Sequence, residues 1–215
     1  ERFASLVTPR TRLAIVTNLH NPSGARIPMD VLREMARRLA RVRAVLLVDE
    51  VYLECTFEET ARSCVHAGPN VVTTNSLTKA YGLDGLRAGW ILGPAALVGR
   101  MARAHDVVAG NGVAMGERMA LAAFARIDAL GRGPRAQVRI NLATLRAFLR
   151  REPRVQALVP EGGTVALLRL SGRHWPWPQV WLLACAAVLA ADPWALLQPG
   201  FWLSFVAVAV LFATD

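Results

Sequence analysis

The sequence predicts an α/β layer: a mainly parallel sheet with flanking helices. Three observations lead there. Short apolar, β-branched runs are separated by a helical pattern, in the order strand, helix, strand and loop, as a parallel sheet requires. The run from Ala44 to Val48 is apolar without alternation, the mark of a strand covered on both faces. Polar residues gather just past the carboxyl ends of the first three strands, where open α/β sheets place their ligands.

The first strand is read at Leu13 to Thr17, running into the turn Asn18-Leu19-His20-Asn21-Pro22-Ser23-Gly24. Asp30 is read as the N-cap of the following helix, whose apolar stripe is Val31, Met35, Leu39 and Val42. The second strand, Ala44 to Val48, ends in Asp49-Glu50-Val51-Tyr52. The third is read at Val71 to Thr74, before Asn75 and Ser76, and the fourth at Ala88 to Leu92, closed by Gly93-Pro94. Helical patterns follow at 95–105, 113–130 and 135–151, the last with Val138, Leu142, Leu145 and Leu149 on one face. Pro160-Glu161-Gly162-Gly163 is a turn, and Thr164 to Leu170 reads as a strand of a smaller subdomain.

Composition divides the chain near residue 172. Of its 25 basic and 16 acidic residues, only Arg173, Asp192 and Asp215 lie beyond that point, together with five of the six tryptophans. The net charge of +9 comes from arginines scattered along helical stretches, such as Arg37, Arg38, Arg41 and Arg43. No aromatic residues are interleaved with them, so a solvated basic face is expected, with no specific nucleic-acid binding. Cys55, Cys64 and Cys185 are odd in number and lack metal-type spacing, which suggests reduced thiols in a cytoplasmic protein for residues 1–171. His20, His66 and His105 have no partner at metal-ligand spacing and are read as structural or surface residues, with no metal expected.

One lysine stands out. Lys79 is the single lysine among 24 arginines, in Ser76-Leu77-Thr78-Lys79-Ala80-Tyr81-Gly82-Leu83-Asp84-Gly85-Leu86-Arg87-Ala88-Gly89-Trp90. A lysine amine can lose its proton and attack a carbonyl, whereas a guanidinium stays charged. Three motifs therefore stand in order: Asn21-Pro22-Ser23-Gly24, Asp49-Glu50-Val51-Tyr52, and the lysine segment with an arginine eight residues on.

Together these motifs resemble the fold-type I, class I/II pyridoxal-phosphate (PLP) aminotransferases, over residues 8–170. The resemblance implies a three-layer PLP-transferase-like large domain, incomplete at 1–131, and the start of a small domain at 132–171. It implies that Lys79 forms the Schiff base with the cofactor and moves the proton in catalysis. It places Asp49 on the pyridine nitrogen, Asn21 and Tyr52 on the phenolate oxygen, and Ser76, Thr78 and Arg87 around the phosphate. Thr78 stands where the family more often has serine and keeps the hydroxyl. Trp90 is read as core packing. Amino transfer between an amino acid and a 2-oxo acid, usually in a homodimer, is the implied function. The family's N-terminal phosphate loop and stacking ring, and its C-terminal arginine clamp for the substrate carboxylate, have no match here, so the chain is expected to be truncated at both ends.

Residues 172–215 are read as a hydrophobic, helical, membrane-protein-like tail, with membrane contact through 175–214. The run from Asp192 to Phe205 resembles part of the ComEC-type competence proteins, which implies a gene fusion, a frameshift or an assembly error; a hydrophobic helical hairpin packed on the α/β part is the alternative. Two other functions remain open on the sequence: a fragment of a membrane channel for DNA uptake, and a PLP-binding module without catalysis. The amino acid substrate is left unassigned.

Overall fold

A computed structural model describes residues 2–56, 61–110 and 112–170, with positions 179, 181, 182, 185 and 186. The chain divides into two units, Glu1–Arg169 and Leu170–Asp215. The readings of residues 187–215, including the channel-like run, fall outside the described residues. No helix among the described residues is long and apolar enough to cross a membrane.

The first unit is an α/β sheet with helices. After a short helix α1 (Arg2–Leu6), β1 (Leu13–Thr17), α2 (Met29–Arg41), β2 (Val45–Asp49), β3 (Val71–Ser76) and β4 (Gly89–Leu92) follow. Their spatial order is β1-β2-β3-β4. β1 pairs with β2 and β2 with β3 in parallel, but β3 pairs with β4 antiparallel. The chain turns back directly from β3 into β4 through residues 77–88, without a helical crossover, and such a return makes an antiparallel neighbour. Helices α3 (Ala95–Val108), α4 (Ala114–Phe124) and α5 (Ile127–Arg151) come next, then β5 (Val155–Leu158) and β6 (Leu167–Leu170) in a separate two-stranded sheet.

α2 covers one face of the sheet. Its buried residues are Leu32, Met35, Ala36 and Leu39, which meet Leu46, Val48 and Val71 of the strands. The stripe is thus centred on Leu32, not on Val31 as the spacing suggested; Val31 is 44% exposed. The two differ by one residue, or about 100° around the helix, and the face nearer Met35 and Ala36 wins. Asp30 lies inside the first turn, and Pro28 takes the cap position. Asn70 then ties helix to sheet: its Nδ2 donates to the carbonyls of Ala36 (3.0 Å) and Ala44 (2.9 Å), so both ends of the α2–β2 connection hold one side chain.

A second cluster packs behind β4. Leu77, Ala120 and Ala123 are buried, with Tyr81, Leu83, Leu86, Trp90, Ile127 and Leu130 around them. Trp90 meets Phe124 edge to face at 5.1 Å, a packing role as expected from the sequence. The break read before residue 135 lies instead at residues 125–126, and α5 runs on through Pro134. Proline there removes one N–H from the helical ladder, yet the helix continues on both sides of it. The strand read from Thr164 is confined to Leu167–Leu170.

Leu39 is wholly buried between α2 and the sheet. Leu39→Ala is expected to cost about 2–5 kcal/mol through lost burial and the cavity left behind. Urea denaturation measures this; a loss below about 1 kcal/mol would show that α2 does not form the core described.

Candidate active site

The parallel register brings the strand ends into one row. Thr17 of β1 lies opposite Asp49 of β2, and Asp49 opposite Thr74 of β3. The row continues into the loops by backbone bonds: Asn18 N donates to the Asp49 carbonyl and Glu50 N to the Thr74 carbonyl, both at 2.8 Å. Polar residues separated by 25 or more positions in sequence are therefore neighbours at the carboxyl edge of the sheet.

Asp49 is half-buried at the centre of that row. Its Oδ1 accepts from the Val51 N–H (3.2 Å) and from the Thr74 hydroxyl (3.3 Å). Both bonds go to one oxygen, which orients the carboxylate and turns Oδ2 to other partners. Ser76 lies two residues after Thr74, so it stands on the same face of β3. Its Oγ is 2.6 Å from Thr78 Oγ1 and also accepts from the Thr78 N–H at 3.4 Å, so two hydroxyls sit side by side where β3 ends.

The antiparallel return of β4 brings the other end of the lysine segment back to the same place. Ser76 lies opposite Gly89, Leu77 N donates to the Ala88 carbonyl (3.1 Å), and Leu83 N to the Leu77 carbonyl (3.0 Å). Lys79 is thus held in a loop closed at Leu77 and Leu83, with its side chain exposed. A Cβ on Gly89 would lie 2.9 Å from the Asn75 carbonyl oxygen, so β3 and β4 approach more closely there than a side chain allows. Arg87 enters β4 with φ 52°, in the left-handed region. That conformation costs an L-residue about 1–2 kcal/mol. Its guanidinium is exposed, with one bond from Nη1 to the Asp84 carbonyl at 3.4 Å.

On the β1 side, Asn21 is exposed at the tip of the turn. Below it, His20 Nδ1 and Ser23 Oγ lie 2.8 Å apart, and Gly24 N donates to the His20 carbonyl at 2.7 Å. Gly24 has φ +66°, and a Cβ there would strike Pro160 at 2.3 Å. The turn at 160–163 packs against it: Glu161 N donates to the Gly24 carbonyl (3.0 Å) and Gly163 N to the Cys55 carbonyl (3.1 Å). Tyr52 is buried just past Asp49.

The model of the family described as aminotransferase class I and II matches residues 3–192. The chain belongs to this family. Arginine–pyruvate transaminase AruH of Pseudomonas aeruginosa is 37% identical over 100 residues, which is 45% of this chain and 25% of that protein. Capreomycidine synthase of Streptomyces vinaceus is 31% identical over 173 residues, 78% of this chain and 43% of that protein. A crystal structure of a PLP-dependent aminotransferase from Streptococcus suis shares the fold, with a TM-score of 0.78 at 24% identity over 85% of this chain and 48% of the other. The chain thus spans less than half the length of these relatives.

Of the residues singled out in the sequence, Asp49, Ser76, Thr78, Lys79 and Arg87 lie at the joined ends of β2, β3 and β4, and Asn21 stands on the turn after β1. Sequence reasoning missed the polar residues beneath them. Asn18 and Glu50 are each 2% exposed. Glu50 accepts from Ser63 Oγ at 3.0 and 3.2 Å and, closely, from the Cys64 N–H. Glu54 accepts from Asn75 Nδ2 at 2.8 Å, while its Oε2 is buried without a partner. The available signal was position alone: each polar residue stands one or a few places past a strand. Burial pushes both carboxyls above the usual carboxylate range, and for Glu54 the neighbouring Glu50 charge adds to it. Burial also raises the Cys64 and Cys55 thiols, to about 12 and about 11, so neither is poised as a nucleophile. Among the described residues no cluster of His, Cys, Asp or Glu is arranged to hold a metal ion.

These carboxyls set a pH dependence. Their folded pKa lies above the unfolded one, so their contribution to stability is full below the ordinary carboxylate range and is lost as pH rises through the raised value. Glu54→Gln removes a buried carboxyl whose Oε2 has no partner. The variant is expected to gain stability relative to the parent at about pH 8 and to show little gain at about pH 4, in urea melts at both. An equal effect at the two pH values would contradict a buried, ionising Glu54.

Proposed function

We propose that this chain carries the cofactor-holding part of an aminotransferase active site and that the reaction it serves is amino transfer between an amino acid and a 2-oxo acid. The observation that carries the reading is the convergence of Asp49, Ser76, Thr78, Lys79 and Arg87 on one edge of the sheet through two parallel pairings and one antiparallel return.

The donor set suits pyridoxal 5′-phosphate. Asp49 offers an oriented carboxylate with Oδ2 turned away from its two internal bonds, as a protonated pyridine nitrogen requires. The adjacent Ser76 and Thr78 hydroxyls and the guanidinium of Arg87 offer donors of the kind that hold a phosphate. When bound, the cofactor supplies a reactive aldehyde and a ring that withdraws electrons from the substrate Cα.

The chain's own residues do the rest. Asp49 holds its negative charge against the ring nitrogen and so keeps a proton there. Asn21 and Tyr52 donate to the phenolate oxygen and orient the ring. Ser76, Thr78 and Arg87 fix the phosphate. Lys79 would hold the cofactor through its Nζ. With its Nζ free, Lys79 would take the proton from the substrate Cα and return it at the cofactor's C4′ position. The loop closure at Leu77 and Leu83 limits where that amine reaches.

The homodimer and cytoplasmic setting implied by the resemblance go with this reading. The channel reading of the C-terminal stretch gains no support: the aminotransferase match runs on to residue 192, and the described residues hold no membrane-spanning helix.

Incubation with pyridoxal phosphate followed by borohydride should leave the cofactor fixed to the peptide containing Lys79, as read by mass spectrometry. Lys79→Ala should abolish the adduct. Its absence from the parent chain, or its persistence in the variant, would overturn the proposal.

A further inference from the structure

Resting on the cofactor reading above, we propose that Asn18 is a positioning residue that sets Asn21 in register with Asp49. Asn18 is bound on two sides. Its backbone N–H donates to the Asp49 carbonyl at 2.8 Å, which attaches it to the residue that faces the ring nitrogen. Its side chain closes the loop that carries Asn21: Oδ1 accepts from the Ile27 N–H at 2.9 Å, and Nδ2 donates to the Ile27 carbonyl at 3.3 Å. The loop 19–26 is therefore fastened at its base by an amide that pairs with one backbone unit on both sides.

The second hydrogen of Nδ2 donates to Cys64 Sγ at 3.4 Å. The Cys64 N–H in turn donates to Glu50, the residue after Asp49. Asn18 thus reaches the end of β2 by two routes, through the Asp49 carbonyl and through Cys64 and Glu50. One acceptor and two donors are all in use, and the side chain is buried. Only a carboxamide of this length supplies both kinds of group here. Aspartate keeps the acceptor but loses both donors and brings a charge into the interior; serine is too short to pair with Ile27 on both sides. Because Asn21 itself is exposed at the tip, its position depends on how the base of the loop is held.

The test uses the full chain loaded with pyridoxal phosphate, as parent, Asn18→Asp, Asn18→Ser, Asn21→Ala and the double variant Asn18→Asp/Asn21→Ala. The readout is the pH midpoint of the bound cofactor's visible absorption, which a merely structural residue would not move. Asn21→Ala is expected to raise the midpoint by roughly one pH unit through loss of a bond to a charged oxygen. Asn18→Asp and Asn18→Ser should shift it in the same direction, and the double variant should add nothing to Asn21→Ala. A parent chain with no pH-dependent band overturns the cofactor reading itself. A normal parent band with unmoved midpoints in the Asn18 variants, or an additive shift in the double variant, overturns the role of Asn18 alone. Failure of both Asn18 variants to fold assigns the residue to stability and also overturns the positioning role.

Discussion

The site depends on the register of β2. This strand pairs in parallel on both sides, and its last residue, Asp49, is opposite Thr17 on one neighbour and Thr74 on the other. A slip of one residue would turn Asp49 toward the α2 side chains and carry Leu46 and Val48 away from them, burying a charge and exposing the apolar pair. The apolar face of β2 thus enforces the position of Asp49 at the row of strand ends. Packing and chemistry are not separate here: the same alternation that puts Leu46 and Val48 in the core puts Asp49 beside the Thr74 hydroxyl.

Around that strand, distant segments are joined by backbone bonds rather than by long side chains. The antiparallel return of β4 brings Gly89, two residues past Arg87, opposite Ser76, and the close contact at Gly89 allows it. On the other side, the turn at 160–163 meets the Asn21 loop at Gly24 and the segment after Tyr52 at Cys55. Beneath the edge lie buried polar groups, Asn18, Glu50 and Asn75, nearly all with partners. Unpaired, each would cost more than it contributes; paired, they fix loops that apolar contacts alone would leave free to slide.

Much of this was legible in the sequence. The strands at Leu13–Thr17 and near Ala44–Val48 showed as apolar runs, and Lys79 drew attention as a single lysine among arginines whose neighbouring motifs gave it a chemical context. The motifs come together at the strand ends because their order along the chain is the order of the strands that carry them. What was not legible had long-range causes. The direction of β4 is set by the return through 77–88, and a four-residue run carries no sign of its own direction. The phase of α2, on Leu32 in place of Val31, depends on where the sheet lies. Pro134 looks like a helix boundary, yet α5 passes through it. Asn18 read only as part of a turn and Glu54 drew no reading, because burial is decided by what folds over them: Ile27 and Cys64 in one case, Asn75 in the other.

The most direct test is a crystal structure of this chain grown with pyridoxal phosphate. The geometry predicts the ring nitrogen within about 3 Å of Asp49 Oδ2, the phosphate against Ser76, Thr78 and Arg87, and continuous density to Lys79 Nζ. A cofactor bound elsewhere, or at this edge with its ring nitrogen turned away from Asp49, would contradict the account.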